Sequence, residues 1–344
     1  MSGAPGPRTA TEHDAAEPSK ERGALEGIVV VSIALNLPGP VAADRLRRLG
    51  ASVTAVVPPS GDPVQHLLPG LFDHLHRHQQ LLTLDLKSPE GQQDMEGLLA
   101  EADVLLTSSR SQALRRLGLD ADAVRRRHPR LCQVDIVGFP GADSDRPGHD
   151  LNFQAGSGLL EPDRLPSTLA ADMHGAEQAV SAVLGCLLAR QRADAAETSG
   201  AAADGVHAEV ALSEAARDLA VPVRWGMVRE DSPLGGASPY YGIYPAAEGH
   251  VAVAALEPHF ADALDREGGI DADADVRAQL SRFFARRSAR EWEEWGARAG
   301  VPITALADPR RADPGGAPPE AGARSTCTES SSTGEEPTRE GGPR

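Results

Sequence analysis

The chain has 344 residues, 40% of them hydrophobic and 24% charged, with a formal net charge of -16. That length can bury a sizeable core, in two domains or one large one, and the composition is that of a globular protein. So acidic a chain lacks the basic face that nonspecific nucleic-acid binding needs, and no apolar run approaches the ~18 residues of a membrane span.

Residues 1–24 are rich in Ala, Pro, Gly, Glu and Arg without periodicity and read as a disordered tail with no signal-peptide-like apolar segment. Gly27 to Leu35 is a short β-branched run that reads as a buried strand. Pro38-Gly39-Pro40 then breaks the chain, and Val41 to Leu49 has helical periodicity ended by Gly50. Val53 to Val57 reads as a second strand closed by Pro58-Pro59. Leu81 to Leu86, a helix over Glu90 to Glu101, and Val104 to Leu106 repeat the pattern. So do a helix at Ala121 to Arg127 and a strand at Leu131 to Val137. Strands alternating with helices over short loops predict a Rossmann-like parallel-sheet α/β domain over residues 25–220.

Ala176 to Arg190 carries an apolar helical stripe of Val180, Val183, Leu184, Leu187 and Leu188. A polar loop at Asp194 to Gly205 follows, then a strand at His207 to Leu212. A smaller α+β domain is predicted over residues 221–307. It has two strands within Tyr240 to Ala254 around Glu248-Gly249, and helices at His259 to Glu267 and Ala289 to Ala299. Residues 308–344 have few large apolar side chains and read as a disordered low-complexity tail. Three scattered cysteines, Cys132, Cys186 and Cys327, make neither a disulfide framework nor a zinc site, so a reduced, cytoplasmic protein without a metal is expected.

The segment Pro147-Gly148-His149-Asp150-Leu151-Asn152-Phe153 is followed, 23 positions after His149, by Asp172 in Ala170-Ala171-Asp172-Met173-His174-Gly175. An imidazole of ordinary pKa ~6.5 and a carboxyl on separate segments could serve as two acid/base groups facing one carbon. Asp172 has a second reading, as the cap of the helix that follows. At that helix N-terminus the carboxylate would be held ionised, ready to act as base or nucleophile. His149 could equally be a surface histidine. Glu257, in Leu256-Glu257-Pro258-His259-Phe260, could be a helix-start acid ahead of a first-turn proline.

Around these residues the chain resembles the family III CoA-transferases, a family that also contains α-methylacyl-CoA racemases. The resemblance runs through Leu25-Glu26-Gly27, Leu37-Pro38-Gly39-Pro40, Leu84-Asp85-Leu86-Lys87, Arg116-Leu117-Gly118-Leu119, Gly138-Phe139, the Gly-His-Asp segment and Leu256 to Phe260. It implies a Rossmann-like domain plus a smaller α+β domain in an interlocked homodimer. It also implies an acyl-CoA substrate, with a carboxylic acid as a possible acceptor. Within the family, His149 leans toward the racemase branch, and Asp172 stands where racemases and transferases alike place the acting carboxylate. Glu257 would reach the site from the other subunit and orient the histidine. Asp150 would hold the imidazole or lie beside the pantetheine arm, and Gly148 would belong to the cofactor-binding set with it. Phe153, where racemases commonly have tyrosine, would keep a stacking or packing role there without the hydroxyl contact. Arg77 and Arg110 would grip coenzyme A, although Ala55 and Val57 stand where the family commonly has a basic residue and an acid. The resemblance leaves three activities in play: α-carbon racemisation or epimerisation of a 2-methylacyl-CoA, CoA transfer through an Asp172 intermediate, and acyl-CoA binding without catalysis.

Overall fold

The computed structural model describes residues 23–196 and 202–308. Nearly all of both predicted tails, and part of the Asp194 to Gly205 loop, lie outside the described residues. In chain order the first part contains β1 (Val29–Ser32), α1 (Pro38–Arg48), β2 (Ser52–Val57), α2 (Pro63–Leu67), α3 (Pro69–Leu75), β3 (Gln80–Thr83), α4 (Pro89–Glu101) and β4 (Val104–Thr107). It continues with α5 (Ser111–Leu117), α6 (Ala121–Arg127), β5 (Cys132–Val137), α7 (Asp150–Ser157), α8 (Ala170–Ala196), β6 (His207–Ala211), α9 (Leu212–Leu219) and α10 (Val221–Arg224). The six strands form one parallel sheet in the order β3-β2-β1-β4-β5-β6.

Both faces of this sheet are covered, as a parallel sheet requires. Alternate side chains of β5 (Cys132, Val134 and Ile136) join Leu46 of α1 and Ala176 and Val183 of α8 in one core. On the opposite face Val31, Leu105, Met95, Leu99 and Leu114 form a second. Pro38-Gly39-Pro40 opens α1 rather than preceding it. Prolines are tolerated in a first turn, where their missing N–H has no intrahelical partner to lose. Gly39 is required there because a Cβ would collide with that of Ala34.

The long helix α8 begins six residues before the expected start at Ala176 and buries only part of the apolar stripe. Val180 and Val183 of the stripe are buried together with Ala171, Gly175, Ala176 and Ala179, and Leu187 packs against the core, whereas Leu184 and Leu188 are 39% and 47% exposed. Small residues on the inner face let α8 lie close against α1 and α9.

The second part contains β7 (Tyr241–Pro245), β8 (His250–Ala254), α11 (Pro258–Gly268), α12 (Val276–Phe284), α13 (Ala289–Ala299) and β9 (Ile303–Ala305). Its three strands form an antiparallel sheet in the order β7-β8-β9. It has its own core around Trp292, Phe284, Leu280 and Leu264, sharing no residue with the other two. Trp292 satisfies its buried indole N–H on the Phe284 carbonyl at 2.7 Å.

Candidate active site at the sheet switch point

In the strand order 3-2-1-4-5-6 the connections leave β1 and β4 in opposite directions. This opens a crevice beyond their carboxyl ends, where open α/β sheets bind ligands. A cavity of about 230 Å³ lies there. Leu35 and Asn36 after β1, Ser108 to Arg110 after β4, Gly138 after β5, and the segment around Gly148 and His149 form its walls, with Asp172 of α8. The chain therefore brings His149 and Asp172, 23 residues apart, to one cavity.

The crevice loops are tied together. Ser108 Oγ accepts the Leu35 N–H at 2.8 Å and donates to the Leu35 carbonyl at 3.2 Å, joining the ends of β1 and β4. The fully buried Asp62 caps α2 through Val64 N–H and also accepts the Asn36 N–H at 3.0 Å. Asn36 itself has φ of 66°, a left-handed conformation that asparagine tolerates better than most residues.

His149 is the N-cap residue of α7, and its backbone N–H is accepted by Asn152 Oδ1 at 3.1 Å. Its ring is exposed on the cavity wall rather than lying in a free surface loop. Beneath the preceding residue lies Phe153, 2% exposed and edge-on to Phe139 at 5.3 Å. A Cβ on Gly148 would sit 2.7 Å from the Phe153 ring, so this glycine lets the histidine loop close over the aromatic pair.

Asp172 is half-buried in the first turn of α8 and does not precede the helix as the cap reading expects. Burial, and then the neighbouring Asp150 carboxylate, push its carboxyl up to about 7. The expectation that the helix N-terminus holds it ionised is therefore corrected. A surface helix dipole contributes typically ~0.3–1 kcal/mol, less than one pH unit, and desolvation outweighs it.

Asp150 is corrected more fully. It is 4% exposed, and its carboxylate accepts the Asp172 backbone N–H at 3.0 Å and Gln154 Nε2 at 2.5 Å. It neither holds the imidazole nor lines the cavity. The N–H groups of Asp172 and Met173 are likewise committed, to Asp150 and to the Leu169 carbonyl.

Arg110 lines the cavity, whereas Arg77 sits on an exposed turn between α3 and β3, away from it. Glu257 is the exposed N-cap residue of α11, apart from the cavity of its own chain. Asn36, Ser108 and Arg146 are cavity residues that the sequence did not single out. Asn36 had one signal, an asparagine between a strand and a Pro-Gly-Pro helix start. The Arg146 guanidinium lies over the Phe139 ring at 4.3 Å, a placement that needs the folded loop. A second groove, about 370 Å³, shares Leu35 and Ser109 with the first and runs past Val57, Pro58, Pro59 and Lys87. Among the described residues no cluster of His, Cys, Asp or Glu is arranged to hold a metal ion, and no helix is long and apolar enough to cross a membrane.

The model of CoA-transferase family III matches residues 25–320. The chain belongs to this family. Its match runs past residue 308, into the segment whose composition reads as a disordered tail. The family III enzyme is 29% identical over 293 residues to the α-methylacyl-CoA racemase of Homo sapiens, covering 78% of this chain and 74% of that protein. It is 28% identical over 259 residues to the succinate–glutarate CoA-transferase of Agrobacterium fabrum, covering 67% of this chain and 62% of that protein. A CaiB/BaiF family protein from Brucella suis shares its fold, with a TM-score of 0.69 at 23% identity over 84% of this chain and 85% of that one. Relatives of both reaction types mean that family membership establishes an enzyme acting on CoA thioesters and leaves the reaction open.

Proposed function

We propose that the protein is an acyl-CoA racemase or epimerase acting at the α-carbon of a 2-methylacyl thioester. The observation that carries this reading is that His149 and Asp172 share one cavity at the switch point. One group removes the α-proton and the other returns a proton to the opposite face of the carbon. An Asp172 carboxyl pushed up to about 7 suits the work, because it can both take and give a proton near neutrality. Two first-turn N–H groups of α8 are already bonded, so the enolate oxygen draws on the Asn36 amide and the cavity arginines instead. The CoA portion lies along the adjoining groove, with Arg110 and Lys87 as cationic partners for its phosphates.

In this reading residues 25–220 form the CoA-binding unit and 221–307 the smaller one, and the chain works as a homodimer. The exposed apolar side chains of Leu165, Trp225, Met227 and Ile243 support an uncovered partner surface. A dimer would also explain why Glu257 stands apart from the cavity of its own chain.

The second reading is CoA transfer, in which Asp172 attacks the donor thioester and then carries CoA to an acceptor acid. Arg146 on the cavity wall favours it as a partner for an acceptor carboxylate. Purified protein incubated with a 2-methylacyl-CoA in D2O separates the two readings. Deuterium at the α-carbon without any acceptor acid supports racemisation. Acyl transfer to a free acid with no α-exchange overturns it in favour of the transferase.

A further inference from the structure

Asp150 is the one buried acid at this site that the reaction does not use directly. We propose that Asp150 is a positioning residue: its buried carboxylate clamps the first turn of α8 and acts electrostatically, at short range, on the Asp172 carboxyl. The first N–H groups of a helix have no partner within it, and one of them, that of Asp172, is taken by Asp150 Oδ1 at 3.0 Å. The other oxygen, Oδ2, is held by Gln154 Nε2 at 2.5 Å. The same Gln154 nitrogen also donates to the Thr168 carbonyl at 3.1 Å, just ahead of α8. Gln154, Asp150 and the start of α8 thus form one polar unit, with Asp150 and Gln154 only 4% and 3% exposed.

A clamp alone would not need a charge, since an asparagine oxygen accepts an N–H as well. Among the described residues no cation pairs with Asp150, so the chain keeps a carboxylate buried beside a second carboxyl, an arrangement that costs stability. Its consequence is on the neighbour: Asp150 is the second cause, after burial, of the raised Asp172 carboxyl. The charged groups on the elements packed around Asp172 are mostly engaged elsewhere. Arg45 of α1 pairs with Glu177, Glu214 of α9 pairs with Arg217, and Asp218 accepts from Gln178. His174 of α8 contacts Gln178, and His149, Arg110 and Arg146 share the cavity with Asp172 itself. Asp150 is therefore an acidic neighbour held beside Asp172 by buried hydrogen bonds.

The proposal rests on Asp172 acting on an acyl-CoA, but its test does not. The probe is the 13C carboxyl signal of Asp172 in aspartate-labelled protein, identified by its loss in Asp172→Asn. In Asp150→Asn the Asp172 midpoint should fall by roughly one pH unit yet stay above the ordinary carboxyl range, because burial remains. The acidic limb of the pH–rate profile should move with it. A midpoint unchanged in folded Asp150→Asn overturns the proposal. If that variant does not fold, Asp150→Ser gives the same comparison. The wild type supplies a test without any variant. The Asp172 amide should be protected from hydrogen exchange, unlike an ordinary first-turn N–H, and rapid exchange there would also overturn the proposal. A shifted midpoint in a protein with no activity on any acyl-CoA would instead defeat the proposed function and leave the electrostatic link standing.

Discussion

Two buried aspartates of the large sheet region sit in opposite circumstances. Asp135 on β5 is 8% exposed and accepts from Thr107 Oγ1, Gln133 Nε2 and His207 Nε2, at 3.2, 2.9 and 2.9 Å. Its hydrogen bond raises the His207 ring above the ordinary histidine pKa, so the acid's burial is offset by a partner that becomes cationic on protonation. Asp150 has an amide and a backbone N–H, and beside it stands another acid. Similar burial thus goes with an acid–imidazole pair between β5 and β6 and with two neighbouring acids at α7 and α8. The pair of acids borders the cavity, as expected where a pKa is shifted for chemistry rather than for stability.

The comparison breaks first at Asp172. Asp172→Asn should lower α-proton exchange and any acyl transfer by ~10² to 10⁴-fold, while His149→Ala should lower exchange alone. Initial-rate assays on both variants decide this, and wild-type exchange in His149→Ala would return His149 to a surface role.

The same Asp172→Asn variant should gain stability, because the raised carboxyl is a cost once ionised. Its folded pKa of about 7 lies above the unfolded value of 3.8, so the folded state holds a proton that the unfolded state has released. Stability therefore declines as pH rises between those values, by up to about 4 kcal/mol in total. Denaturant unfolding should show the variant more stable than wild type above neutrality and nearly equal to it at acid pH. Equal stability at all pH values would mean that the site carries no stored cost.

A smaller effect is expected at Gly148→Ala, whose Cβ must displace the Phe153 ring. Overpacking of this kind costs about 1–3 kcal/mol, and the histidine loop should move with it, so exchange should fall together with the thermal midpoint. Loss of stability with full activity would detach Phe153 from the site.

The smallest effect belongs to the satisfied pair. The folded pKa of His207 is raised, so its pairing with Asp135 contributes stability below the unfolded value of ~6.5, and this is lost as pH rises through the folded value. His207→Gln should lower the thermal midpoint at mildly acidic pH and become neutral at alkaline pH. A penalty independent of pH would show that the ring matters for packing alone.

Much of the fold was legible because its signals are local. The β-branched runs of β1, β2, β4 and β5 and the turn at Glu248-Gly249 each act within a few residues. Helix α7 was missed because its cue is non-local: the glycine ahead of it makes room for Phe153, which packs back on Phe139. On α8 the stripe names Val180, Val183 and Leu187 of the inner face but also the exposed Leu184 and Leu188, because close neighbours select small residues over the rest of that face. At the site, His149 and Asp172 stood out as residue types in a recognisable frame. Asp150 was assigned to the ligand or the imidazole because nothing in the sequence says that its carboxylate turns inward onto the next helix. Arg146 depends on a loop bringing it over an aromatic ring 7 residues earlier in the chain.

The central claim is that His149 and Asp172 act as two acid/base groups on one carbon, and enantiomer-resolved exchange tests it most directly. Each pure enantiomer of a 2-methylacyl-CoA would be incubated separately with wild-type enzyme in D2O, and inverted product and α-deuterium followed together. The account predicts that both enantiomers invert and that deuterium enters the inverted product from either side. Deuterium entering a single enantiomer without inversion, or no exchange while CoA passes to an acceptor acid, would contradict it.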